Sequence, residues 1–270
     1  MRKLIQWPTA KYWTKQWNLW IGCNPRSPAC DHCYAEALTK RFGGSFNPHP
    51  SAKQNPPRSG VVFCGNMTDL FGPWIGPQEV VNLILKADKA DPRKATFLWL
   101  TKRAHRMGMM LNWEIPVAGR MTFMDLVRFP NHYFGFTAED SRRYYQRMAD
   151  IELTATAKHK NLWLSAEPLL GPINMGLASW RDGGVSPFKW VVVGAESGPK
   201  RRHCDIEWIR NIVRQCRDTR TPVFVKQIEL PNGKFTNNID EFPADLQIRQ
   251  VPWKVENLKM PCSHSGENVA

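Results

Sequence analysis

The sequence predicts an α/β protein, a partial or closed (β/α) barrel of six to eight units, on three observations. Short apolar runs recur along the chain, segments with helical spacing separate them, and almost every run ends in polar or charged residues. The runs are 60–64, 96–101, 132–137, 161–165, 188–194 and 221–226. They are nearly continuous in Val, Leu, Phe and Trp, which predicts strands buried on both faces, as in a parallel sheet.

Helices are expected over 78–90, 104–113, 141–153 and 205–219. In the last, Ile206, Ile209, Ile212, Val213 and Cys216 form one inward stripe, Arg210, Arg214 and Arg217 turn outward, and Asp205 suits the N-cap. Chemistry in such barrels sits at the C-terminal ends of the strands. Those ends carry Gly65-Asn66-Met67-Thr68-Asp69, Lys102 and Arg103, Thr137 to Asp140, Glu167, then Glu196 to Arg202, and Lys226. Loops are polar in any protein, which is the competing account of this pattern. On the functional account, Lys102, Arg103, Lys200, Arg201, Arg202 and Lys226 ring one mouth and suit a phosphate-bearing substrate.

Lys and Arg outnumber Asp and Glu by 37 to 24 in 270 residues, a net charge of +13 and a pI near 9.6. Such a balance favours polyanionic partners, nucleic acid first and an anionic membrane surface second. No apolar stretch is long enough to span a bilayer, and the first residues lack a signal-peptide core, so no membrane association and a cytoplasmic location are expected. Thiols stay reduced there, which makes the seven cysteines poor candidates for disulfides. The twelve tryptophans read mainly as packing residues. Residues 1–230 are expected to form the barrel domain, with a cysteine loop at 23–33. Residues 231–270 read as a C-terminal extension packing on or near it, its last residues frayed.

Cys23, Cys30 and Cys33 lie in one loop stiffened by Pro25 and Pro28, ahead of a helix. Soft thiolates suit zinc or an iron–sulfur cluster. A structural zinc ion wants four ligands, and His32 beside Cys33 is badly placed, so Cys64, Cys204 or Cys262 would have to complete the set. Three thiols around four irons leave one iron open for a small molecule. Simple burial of free cysteines is a third option.

The chain resembles the radical S-adenosylmethionine superfamily, and more closely a phage and bacterial family of three-cysteine proteins whose substrates are largely unassigned. The resemblance rests on Trp17 to Cys23, Cys30-Asp31-His32-Cys33-Tyr34-Ala35-Glu36, Met67 to Phe71, Leu100 to Arg103, Ala166 to Pro172, Val192 to Pro199 and Phe224 to Gln227. Six residues separate the first two cysteines where the commonest motif has three, and Gly65-Asn66-Met67 replaces the usual Gly-Gly-Glu. The resemblance implies a 4Fe-4S cluster on Cys23, Cys30 and Cys33 that generates a 5′-deoxyadenosyl radical from S-adenosylmethionine. It places Gly65 and Asn66 near the methionine end, and Thr137 and Glu139 near the ribose. Glu167 and Glu196 are the candidate catalytic carboxylates, or else structural partners of arginines. The implied partners are a flavodoxin or ferredoxin as electron donor and DNA or another nucleotide-bearing substrate, for instance an amino-acid-modified thymine that an isomerase rearranges. A phage-encoded chain would work in the host cytoplasm. The alternatives are a zinc or structural-cluster nucleic-acid-binding protein, and a radical enzyme acting on a peptide or metabolite.

Overall fold

The computed structural model describes residues 5–52, 55–112, 130–153, 161–176 and 186–253. Three short strands open the chain: β1 (Ile5–Gln6), β2 (Lys15–Trp17) and β3 (Trp20–Ile21). The cysteine loop leads into α1 (Tyr34–Arg41), and β4 (His49–Pro50) pairs back on β3. Alternating units follow: β5 (Gly60–Cys64), α2 (Pro77–Asp88), β6 (Ala95–Thr101), α3 (Ala104–Leu111), β7 (His132–Thr137), α4 (Ser141–Leu153) and β8 (Leu162–Ala166). Then come β9 (Trp190–Gly194), α5 (Ile206–Asp218), β10 (Val223–Glu229), β11 (Phe235–Thr236) and β12 (Gln250–Val251).

Eight strands form one sheet in the order β11-β10-β9-β8-β7-β6-β5-β2. All neighbours are parallel except β10 and β11, which make an antiparallel hairpin. The expected barrel is corrected by this order. The sheet is open, because β2 and β11 are its edges and no pairing joins them among the described residues. Repeating β/α units produce the same apolar pattern whether a sheet closes or not, since closure depends on stagger and curvature rather than on burial.

Alternation along each strand separates two cores. Val62, Cys64, Trp99, Phe134, Leu164 and Val193 point to the side covered by α2 to α5. Val61, Phe63, Leu98, Tyr133, Trp163, Trp190 and Phe224 point to the other, where no described helix packs. The chain covers that side with its own two ends. Trp7, Tyr12 and Trp13 come from one, Val251 and Trp253 from the other, and β1 pairs antiparallel with β12 to join them. The Tyr12 ring lies 6.2 Å from Phe63 on β5 and 5.4 Å from Phe224 on β10. In a flat sheet those strands would stand about 24 Å apart, so the open sheet curls around its aromatic filling.

Gly135 shows how closely that filling fits. A Cβ there would meet the Trp163 indole at 2.5 Å, while the indole N–H reaches the carbonyls of Trp99 and Tyr133, each at 3.2 Å. Gly135→Ala is expected to cost about 1–3 kcal/mol through overpacking. Urea unfolding checks this, and an unchanged midpoint would count against so tight a fit. No helix among the described residues is long and apolar enough to cross a membrane.

Candidate functional site

The cysteine loop lies across the C-terminal ends of the parallel strands, held first by backbone. Gly22 N–H donates to Met67 O at 3.0 Å, Cys23 N–H to Phe46 O at 3.2 Å, and the Thr68 hydroxyl to Gly22 O at 2.6 Å. Gly22 has φ +92°, and a Cβ on it would strike Asn47 O at 2.4 Å, so only glycine fits this entry turn. A short 3-10 turn over Pro28–Cys30 follows, and Cys33 sits at the N-cap of α1. All three thiols are free and half-buried. Two accept hydrogen bonds: Cys30 Sγ from Arg26 N–H at 3.3 Å, and Cys23 Sγ from Arg103 Nη1 at 3.9 Å.

Two acid–arginine pairs then strap the loop to the strand ends. Asp69, after β5, is 6% exposed and accepts from the Thr101 hydroxyl (2.6 Å), Lys102 N–H (3.1 Å) and Arg103 Nη1 (2.9 Å). Held in this way, Arg103 stacks over Trp74 and donates through Nη2 to Asn24 O at 3.0 Å. Burial and the Asp69 charge push the Cys23 thiol up, and the Arg103 guanidinium partly offsets them.

The second pair joins the other end of the loop. Glu196, after β9, is 4% exposed and accepts from Arg202 N–H (2.9 Å), Nε (3.0 Å) and Nη2 (2.5 Å), with His32 Nδ1 at 3.0 Å. Arg202 Nη1 donates in turn to Pro28 O at 2.9 Å and lies 3.4 Å from Asp31. Burial alone would raise the Glu196 carboxyl, but its bonds to Arg202 outweigh that and hold it below the usual range.

The remaining candidates fall into distinct places. Gly65, at φ +70°, ends β5 with no room for a Cβ beside Leu70. Asn66 O accepts from the Tyr34 hydroxyl at 2.6 Å, which ties α1 to this strand end. Thr137 is the last residue of β7 and Glu139 follows it. Arg147 Nη1 donates to Thr137 O at 2.5 Å and to Glu139 Oε2 at 2.7 Å, all inside the protein. Glu167 Oε1 lies 3.3 Å from the Lys226 ammonium, which itself sits over Tyr12 and Trp13. Gly194 makes room for this carboxylate, since a Cβ there would be 2.9 Å from it. Lys102 is half-buried beside Arg103. Lys200 and Arg201 are exposed, and Arg201 reaches away to Gly233 O and the Phe235 ring on the β10–β11 hairpin.

Several residues of this site escape a reading of the sequence. Asp69 stands out only as part of a polar strand end and His32 only as a poor ligand, while Arg147 falls unmarked inside the helix expected over 141–153. Their sequence signal is no more than a position near a strand end.

The donor set is compatible with a soft metal group. Three reduced thiols share one held loop, and two of their sulfurs already accept N–H bonds, an arrangement that stabilises thiolate ligands. Among the described residues, no three His, Cys, Asp or Glu side chains gather closely enough to hold an ion. A fourth thiol is not offered nearby: Cys64, Cys204 and Cys216 are core residues whose thiols burial pushes up, Cys204 to about 12. Cys262 lies outside the described residues. Three buried polar oxygens lie at strand ends and in the cysteine loop. Ser27 Oγ, Asn66 Oδ1 and Glu139 Oε1 are buried; Ser27 lies against Glu139 and helps lower its carboxyl, and Asn66 Oδ1 has no aligned hydrogen bond.

No curated protein and no solved structure matches the chain. A family match covers most of it, from Trp7's neighbour Pro8 through the site and the sheet to Glu241. By residues 8–241, the chain belongs to the family described as Protein of unknown function (DUF5131).

Proposed function

We propose that this protein is a radical S-adenosylmethionine enzyme with a nucleic-acid substrate, its 4Fe-4S cluster held by Cys23, Cys30 and Cys33. The observation that carries the reading is the cysteine loop itself: three free thiols strapped over the C-terminal ends of a parallel sheet by Asp69–Arg103 and Glu196–Arg202. When bound, the cluster and S-adenosylmethionine supply a one-electron carbon–sulfur cleavage.

The chain's own residues orient and insulate that chemistry. Arg26 N–H and Arg103 donate to sulfur, which disperses thiolate charge. Asn66 Oδ1 and Glu139 Oε1 are acceptors for the ammonium and hydroxyl groups of the ligand. Glu196 is saturated by Arg202 and His32, so its role is to position the loop. Glu167 has an unaligned oxygen beside Lys226 and is the carboxylate with capacity to hold or pass a proton.

Anaerobic loading of the full-length chain with iron and sulfide, then reduction with S-adenosylmethionine, tests this. About four irons per chain and formation of 5′-deoxyadenosine are expected. Both should fall to background when Cys23, Cys30 and Cys33 are changed together to serine. The second reading is a zinc or structural-cluster nucleic-acid-binding protein without radical activity, favoured by the net charge of +13. It predicts DNA binding and no cleavage of S-adenosylmethionine in the same samples.

A further inference from the structure

Beside the cysteine loop, a cavity of about 400 Å³ opens between that loop, the end of β6, α3 and α4. Its walls carry seven arginine and lysine side chains against one acid, Asp150, which has His105 at 3.9 Å. Three of the seven are tied to carboxylates: Arg103 to Asp69, Arg143 to Asp140 and Arg147 to Glu139. Arg106 is spent on the carbonyls of Gly72 and Ile75. Burial, and to a lesser extent the neighbouring Arg103 charge, holds its guanidinium below its ordinary value. Arg26, Lys102 and Arg142 also line the cavity, and among the described residues none of their side chains makes an ion pair within 4.0 Å, although Lys102 is near enough to Glu139 to help lower its carboxyl.

The start of α4 compensates only one of its two arginines. Arg142 and Arg143 occupy the first turn of α4, where the Asp140 carboxylate accepts from Arg143 N–H at 2.8 Å and pairs with the Arg143 guanidinium, so its compensation goes to Arg143 and not to Arg142. Unpaired cations gathered in a recess repel one another, and an anion delivered among them relieves that repulsion through charge-assisted hydrogen bonds.

We propose that this cavity seats a phosphate group, bound by Arg26, Lys102 and Arg142 and backed by the paired arginines behind them. The chemistry is that of a phosphate ester, supplied either by the backbone of a nucleic-acid strand or by a free nucleotide. It rests on the functional reading above only for the source of that phosphate. Arg26 belongs to the cysteine loop, so a strand anchored here lies next to the thiols.

The test is equilibrium binding to the full-length chain as purified, by fluorescence anisotropy with a labelled single-stranded oligodeoxynucleotide and by calorimetry with ATP, across a salt series. Arg26→Ala, Lys102→Ala and Arg142→Ala should each weaken binding about tenfold. Each should flatten the slope of log affinity against log salt by about 0.7 per lost contact on a single strand. The control is a triple alanine variant at Lys89, Lys94 and Lys189, exposed cations near the opposite ends of the strands that remove the same charge.

Loss of oligonucleotide binding in a cavity triple variant, with Arg26, Lys102 and Arg142 changed together to alanine, but not in the control supports a strand phosphate. The same pattern with ATP supports a free nucleotide. Equal loss in both triple variants, or no binding of either probe by the wild type, overturns the proposal. Thermal melts confirm folding, and Arg26→Lys with Arg142→Lys should retain most binding. Iron loading, measured separately, reports on the cluster alone, so failure of either idea leaves the other readable.

Discussion

Arg147→Met is expected to destabilise the protein by about 3–5 kcal/mol, the usual cost of stranding a buried charge. The Arg147 and Glu139 side chains are 6% and 0% exposed, and one guanidinium nitrogen serves both the carboxylate and the Thr137 carbonyl. Methionine fills similar volume and supplies neither bond. Burial tends to raise the Glu139 carboxyl, but the Arg147 charge holds it below the usual range. A carboxyl with a depressed folded value contributes stability that is complete above its unfolded value near about 4.3. That contribution is lost as pH falls through the folded value. In the variant the carboxyl has no such partner and protonates more readily, so its penalty shrinks in acid. Urea unfolding at pH 7 and at pH 4 should therefore show a large difference between the two proteins at pH 7 and a smaller one at pH 4. An equal difference at both values would mean that lost packing, rather than the stranded charge, sets the cost.

Arg202→Met is the second large effect, because Arg202 satisfies Glu196 and grips the cysteine loop at Pro28. The expected cost is about 2–4 kcal/mol, below that of a sealed pair, because Arg202 is 30% exposed and water can replace part of what it provides. The loop should also retain less iron after reconstitution. Glu196→Gln leaves an amide oxygen to accept from Arg202 and should cost less in both measurements. Combining the two changes should cost less than their sum, since each removes the same interaction. If Glu196→Gln instead abolished product formation with iron content and stability unchanged, Glu196 would be a proton carrier and not a positioning residue.

Many elements were legible in the chain because their signals are local. The run 60–64 and the run 132–137 are β5 and β7 residue for residue, and 141–153 is α4. The inward stripe of α5 has Ile209, Ile212, Val213 and Cys216 buried, and the Asp205 side chain accepts from Glu207 N–H as an N-cap. Other boundaries moved by one to three residues: the run 221–226 became a strand over Val223–Glu229, and 78–90 a helix over Pro77–Asp88. The polar strand ends were visible for the same reason, as residues that follow apolar runs.

Which of those polar residues meet could not be read in this way. Glu196 bonds His32 across 164 positions, and Arg103 reaches Cys23 across 80. Arg202 and Lys226 belonged to one predicted ring of cations, yet each is taken up by a carboxylate from a strand end. Arg26 and Arg142 lie far apart in sequence and share a cavity wall.

By itself, the sequence determined the alternation of strands and helices, burial of the strands on both faces, the compact cysteine loop and the excess of positive charge. Period-two and period-3.6 patterns record how each residue meets its nearest surroundings, and those surroundings are set within a few positions. Only the tertiary structure decided that the sheet stays open around a filling of its own chain ends, and that two arginines strap the cysteines in place. Curvature and charge pairing depend on residues brought together from distant segments, and no local pattern records that meeting.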